Sequence, residues 1–133
     1  MNNRLLTACL LFLSTGYASA DTLPLRHGAY VGVGTDCENP PNAELRTYDG
    51  RGLGSAKAAD CRGRVLSTQN DIYQIEQDCR QDGSPKPERV TERATIRIDG
   101  PDRYTDLTGN GNESFRRCPG LGAPNRTARS GGG

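Results

Sequence analysis

The sequence predicts an all-β protein: a small antiparallel meander or barrel of about seven strands, fastened by two disulfides. Three observations carry that expectation. Apolar residues recur in short alternating runs between clusters of Gly, Pro, Asn and Asp, and no stretch has a convincing helical period. Four cysteines, Cys37, Cys61, Cys79 and Cys118, follow a segment with the pattern of an export signal. The chain beyond that segment is too poor in apolar residues to rely on its core alone.

Arg4 supplies a positive start, Leu5–Leu13 is an apolar run, and Ala18-Ser19-Ala20 has the small-x-small pattern of a signal-peptidase site. The organisation expected is a signal peptide over 1–20, a disulfide-stapled β domain over 21–118 and a flexible tail over 119–133. Removing twenty residues from 133 leaves 113, enough for one small domain. Sixteen of those are Leu, Ile, Val or Phe, and their basic and acidic residues balance at sixteen each. Low apolar content suggests disorder, whereas zero net charge opposes it. A thin core without charge repulsion fits a cross-linked domain of the periplasm or the secreted space. Leu6-Thr7-Ala8-Cys9 has the residue types of a lipoprotein site, but the apolar run mostly follows Cys9, which disfavours lipidation. No second apolar segment approaches the ~20 residues needed to span a bilayer, so no membrane span is expected.

Along the chain, His27–Gly34 forms the first expected strand after a lead-in over Asp21–His27. A rigid loop containing Cys37 and Asn39-Pro40-Pro41-Asn42 follows, because consecutive prolines do not sit inside a ladder. Ala43–Tyr48 is the second strand, Asp49–Gly54 a turn, and Ser55–Asp60 a single helical turn. Arg62–Thr68 and Ile72–Cys79 flank Gln69-Asn70-Asp71, a three-residue hairpin loop whose Asn and Asp tolerate positive φ. Pairing Thr68 with Ile72 places Ser67 opposite Tyr73, Val65 opposite Ile75 and Cys61 opposite Cys79, all on one face. Slipping the register by one would scatter both the apolar residues and the thiols. After a Gly83–Pro87 loop, Val90, Ala94, Ile96 and Ile98 share one face, interrupted by Glu92. Arg103–Leu107 and Glu113–Cys118 complete the seven strands, separated by a Gly/Asn loop over Thr108–Asn112.

Four cysteines allow three pairings. In a seven-stranded meander Cys61 and Cys79 fall at one end, and Cys37 and Cys118 at the other. Cys61–Cys79 with Cys37–Cys118 fits that layout best, the second bond drawing the sheet toward a barrel.

The candidate chemistries are weak. Cysteine spacings of 24, 18 and 39 contain no C-x-x-C pair, which disfavours a zinc or redox motif. His27 is the sole histidine and has no nucleophile motif near it; an exposed polar residue entering a strand is the simpler reading. Asp106–Asn112 has oxygen donors at calcium-loop spacing, but Arg117 stands where a bidentate Glu is required. Gly50-Arg51-Gly52-Leu53-Gly54 lacks the spacing of a phosphate cradle. Nothing selects two of the many carboxylates as a glycosidase pair. No catalytic residue, metal or cofactor is therefore assigned. The absence of a basic block argues against nucleic acid.

Gly28-Ala29-Tyr30, Thr35-Asp36-Cys37, Pro40-Pro41 and Tyr48-Asp49-Gly50-Arg51-Gly52 form a motif string over about Leu23–Pro119. The string resembles small exported proteobacterial proteins of uncharacterised function. The resemblance implies a shared fold and compartment and brings no catalytic residue. In size and meander the chain also looks like periplasmic barrels that inhibit lysozymes, or lipocalin-type barrels.

The function expected is a non-enzymatic binding or inhibitor-like β-domain with an envelope or extracellular partner. Its candidate binding loops carry Pro40 and Pro41, and Asp49 and Arg51. The alternative is a small-barrel carrier of an apolar ligand, lined by Tyr30, Val65, Tyr73, Ile75, Ile96 and Ile98. A hydrolase ranks third.

Overall fold

The structure, a computed structural model, describes residues 20–83, 85, 86 and 88–121. Residues 1–19, which hold Cys9 and most of the expected signal peptide, and residues 122–133 of the expected tail lie outside the described residues. Within them the chain is all-β. Eight strands follow in order: β1 Gly28–Gly32, β2 Leu45–Tyr48, β3 Leu53–Ser55, β4 Ala58–Gln69, β5 Ile72–Gln81, β6 Arg89–Gly100, β7 Arg103–Asp106 and β8 Glu113–Cys118.

The expected helical turn at Ser55–Asp60 is instead the end of β3, a two-residue connection and the start of β4. Ala58 and Ala59 have a helical preference, but their pairing with Gln81 and Arg80 in β5 prevails. The eighth strand is therefore β3, three residues with no alternation long enough to read in sequence.

Every pairing is antiparallel, and the sheet order is β3-β2-β1-β8-β7-β6-β5-β4. Consecutive strands pair except β3 and β4, and β8 returns to β1, so the sheet nearly closes into a barrel. The remaining seam lies between β3 and β4. Gly63 N–H donates to Arg51 O across it (2.7 Å), and the Thr22 hydroxyl donates to Arg51 O (2.9 Å) and Gly63 O (3.2 Å). The Gln77 side chain reaches Leu53 with both ends, donating to its carbonyl (2.9 Å) and accepting from its N–H (3.1 Å). The amide thus stands in for a missing strand partner. Gly52 has no room for a Cβ, which would lie 2.7 Å from Cys61 O and 2.8 Å from Cys61 C.

The β4–β5 hairpin holds the expected register from Arg62↔Asp78 through Val65↔Ile75. It departs on either side. A bulge at Leu66 shifts the tip, so Ser67 faces Gln74, Thr68 faces Tyr73 and Gln69 faces Ile72. The loop is consequently Asn70-Asp71, two residues instead of three, with Asn70 at φ 54°.

Call the upper end the one carrying the β2–β3, β4–β5 and β6–β7 turns, and the lower end the one carrying the β1–β2, β3–β4, β5–β6 and β7–β8 connections. The lead-in segment plugs the upper end. Thr22 N–H donates to Gly50 O and Arg26 N–H to Pro101 O, so the chain crosses from one upper turn to another. Leu23 and Leu25 drop into the core with Tyr30, Tyr48, Ile75, Ile96, Tyr104 and Phe115. Tyr48 Oη accepts from Leu23 N–H (2.7 Å) and lies 2.8 Å from Leu23 O, which fixes the plug to β2. The Tyr104 and Phe115 rings stack with centroids 5.0 Å apart.

Both disulfides form as Cys37–Cys118 and Cys61–Cys79, with Cα separations of 5.6 and 4.1 Å. The route to the first differs from expectation. An eighth strand makes β8 antiparallel to β1, so Cys118 pairs with Ala29 at the start of β1, away from the end that leads to Cys37. The β1–β2 loop folds back to reach it. Arg116 anchors that return, donating to Thr35 O (2.6 Å) and Cys37 Sγ (3.1 Å). The returning loop thereby covers the outward face on which Ala29 and Val31, the partners of Cys118 and Arg116, are fully buried. Hydrogen bonds between β1 and β8 close the sheet, and the disulfide fastens a loop over that closure.

Candidate functional site

The lower end is open. A cavity of about 210 Å³ enters the barrel there, with Ala94, Ile96 and Tyr104 among its apolar lining and Arg46, Gln77, Glu92 and Asp106 among its polar lining. These positions point inward because antiparallel partners share a face: Arg46 pairs with Tyr30, Gln77 with Glu92, and Ile96 with Asp106.

Arg46 is half-buried on β2. Its Nη1 donates to Ala43 O (2.8 Å) and Leu45 O (3.0 Å), and its guanidinium carbon sits 5.0 Å from the centroid of the Phe115 ring. Among the described residues no carboxylate forms an ion pair with it. Two carboxylates belong to the same cavity. Glu92 Oε1 accepts from Gln77 Nε2 (3.1 Å), and Asp106 Oδ1 accepts from Thr108 N–H (2.8 Å). Deeper in, burial pushes the Tyr104 hydroxyl well above the ordinary tyrosine range, partly offset by the Arg46 charge.

A larger depression of about 370 Å³ lies on the outer surface of β4–β6 and includes Arg62, Arg64, Glu76, Asp78 and Thr91. Its charges largely neutralise one another. Glu76 bridges Arg64 (2.8 Å) and Arg93 (3.1 Å), and Arg89 holds Asp78 (2.6 Å). The Arg64 and Arg93 hydrogen bonds hold the Glu76 carboxyl below the usual carboxylate range. This is a solvated ladder of paired charges, and the lower cavity is the better candidate despite its smaller volume.

The sequence-suggested loops fall at opposite ends of β2. Pro40 and Pro41 belong to the β1–β2 loop at the lower end, outside the cavity lining; Glu44 N–H donates to Pro41 O as the short 3-10 turn Asn42–Glu44 opens. Asp49 and Arg51 belong to the plugged upper end. Asp49 Oδ1 accepts from Arg51 N–H (2.8 Å) and Gly52 N–H (3.2 Å), and Arg51 O receives the seam bonds. Gly50–Gly54 is thus part of the barrel closure. His27 bonds Asp21 (2.9 Å) and meets the Tyr48 ring edge-on at 5.6 Å.

Of the proposed carrier lining, Tyr30, Ile75 and Ile96 are buried core, and Tyr73 and Ile98 pack against it. Val65 is 40% exposed near the β4–β5 tip, with Leu66 and Ile72. The cavity residues Arg46 and Gln77 were not singled out by sequence, and Asp106 entered only as the first donor of the disfavoured calcium loop. Glu92 left a signal, the polar break in the Val90–Ile98 alternation.

Among the described residues no group of three or more His, Cys, Asp or Glu side chains is arranged to hold a metal ion. No helix among them is long and apolar enough to cross a membrane. Comparison with protein-family models, with curated proteins and with solved structures found no match.

Proposed function

We propose that the chain acts after export as a non-enzymatic binding domain for an envelope or extracellular partner, with the lower mouth of the barrel as its contact surface. The observation that carries this reading is Arg46: a half-buried guanidinium that no carboxylate among the described residues neutralises, held at the wall of an open cavity. Desolvating a cation without neutralising it is costly, and a ligand group that accepts its hydrogen bonds recovers that cost. Two disulfides support a life in an oxidising compartment. The interior above the mouth is filled by aromatic and aliphatic side chains, which favours contact at the rim over enclosure of an apolar cargo.

Titrating the isotope-labelled protein with fractionated envelope extract tests the reading through backbone amide shifts. Changes confined to residues around Arg46, Gln77, Ala94 and Asp106 are expected. Changes that map to the plugged end or to the outer face of β4–β6, or no changes with any fraction, would overturn it.

A further inference from the structure

We infer that the lower mouth takes a small zwitterion, a free α-amino acid with an apolar side chain; this rests on the mouth being the binding site. In an eight-membered order β2 and β6 stand diametrically apart, so the mouth carries Arg46 on one wall and Glu92 on the opposite one, while Arg93 beside Glu92 is paired with Glu76 (3.1 Å). Asp106 on β7 adjoins the Glu92 side. A lone anion drawn to Arg46 would meet two carboxylates across the mouth, and a lone cation would meet the guanidinium. A zwitterion satisfies both walls at once.

The hydrogen-bonding capacity matches. Arg46 spends Nη1 on Ala43 O and Leu45 O, which leaves donors on Nε and Nη2 for a carboxylate. Glu92 and Asp106 each accept one hydrogen bond through one oxygen, leaving the other oxygen to receive an ammonium group. Both walls are pre-set: backbone carbonyls and the Phe115 ring hold Arg46, and Gln77, clamped to both polar groups of Leu53, holds Glu92. Between them, Ala94, Ile96 and Tyr104 offer an apolar surface to a side chain. The volume of about 210 Å³ suits an amino acid and falls short of the roughly 300–1,000 Å³ of drug-sized sites.

The test uses the disulfide-bonded protein with alanine and leucine, their N-acetyl forms and their amides, followed by amide shifts and calorimetry. Free leucine should perturb the mouth and bind roughly tenfold or more tighter than either blocked form, as expected when one charge-assisted contact is lost. Glu92→Gln, at an exposed position, should weaken leucine by a similar factor while leaving N-acetylleucine unchanged. Arg46→Gln, checked for a native amide spectrum, should weaken leucine and leave leucinamide unchanged. Equal binding of N-acetylleucine or leucinamide would overturn the zwitterion assignment while leaving the mouth as a site for a simpler ion. Absence of binding by either free amino acid would overturn it too, and the envelope-fraction titration would then judge the mouth separately.

Discussion

Removing the Cys37–Cys118 bond should cost the folded protein about 4 kcal/mol, more than removing Cys61–Cys79. The first bond closes 81 residues of chain and the second 18. Restricting the unfolded chain in this way corresponds to about 4.5 and about 3 kcal/mol respectively. The shorter loop is nested within the longer, so with Cys61–Cys79 intact the outer loop loses only a few tenths of a kcal/mol of its effect. Native-state losses add in the same direction for the outer bond. Freed from Cys118, the β1–β2 loop no longer has to cover Ala29 and Val31, although the β1–β8 hydrogen bonds persist.

The variants are Cys37→Ser/Cys118→Ala and Cys61→Ala/Cys79→Ala, alanine being used where the thiol is buried so that no hydroxyl is stranded. The chain has no tryptophan, so urea unfolding is followed by circular dichroism and tyrosine emission. The outer variant should melt roughly 15–30 °C lower, and its urea slope should rise because the released chain expands on unfolding. A loss below about 1 kcal/mol, or a larger loss for the inner variant, would refute the claim that long-range cross-linking sustains so thin a core.

Three further outcomes follow from the seam and the core. Gly52→Ala should destabilise by about 1–3 kcal/mol because its Cβ meets the Cys61 backbone, whereas Gly111→Ala, with nothing within 4 Å, should be near neutral; equal urea midpoints for the two would remove Gly52 from the barrel closure. Gln77→Leu should cost about 1–3 kcal/mol by stranding both polar groups of Leu53, and a neutral effect would mean the amide does not bridge the seam. Burial pushes the Tyr30 and Tyr48 hydroxyls up to about 12, and Tyr104 further still. Their neutral forms favour the fold, so this contribution is whole below the ordinary tyrosine value and is lost as pH rises through about 12. Tyrosinate absorbance and circular dichroism should therefore change together on alkaline titration; ionisation of these three near pH 10 with the fold intact would contradict their burial.

Local alternation made most of the sheet legible. Arg62–Val65 against Ile75–Asp78 carries enough apolar and thiol residues on one face to set its register, and Glu113–Cys118 matches the last strand in full. The bulge at Leu66 left no mark because apolar residues stand on both sides of the shift, at Val65 and Leu66. β3 was hidden for a different reason. Leu53-Gly54-Ser55 is extended because Tyr48, Thr47 and Arg46 pair with it, and its glycine answers to Thr47 and Ala58 pressing from either side. Those causes lie elsewhere in the chain. The omission reversed the relative direction of the first and last strands, yet the cysteine pairing held because the β1–β2 loop is long enough to double back.

The cavity could have been reached from the strands by following each inward position from one end to the other. Along β2 the inward residue changes from Tyr48 to Arg46, along β7 from Tyr104 to Asp106, along β5 from Ile75 to Gln77, and along β6 from Ile96 through Ala94 to Glu92. In each case one two-residue step turns core into charge or amide. A single polar residue on an inward face is an ordinary solvated end of a strand. Four strands making the same change toward the same end require either a wide water-filled mouth or a polar ligand, and the half-buried Arg46 favours the ligand. The upper end has no such freedom, since Leu23 and Leu25 occupy it and Tyr48 ties them down. A chain with so few apolar residues concentrates them where the lead-in segment can complete a core, and that economy leaves the opposite mouth available for recognition.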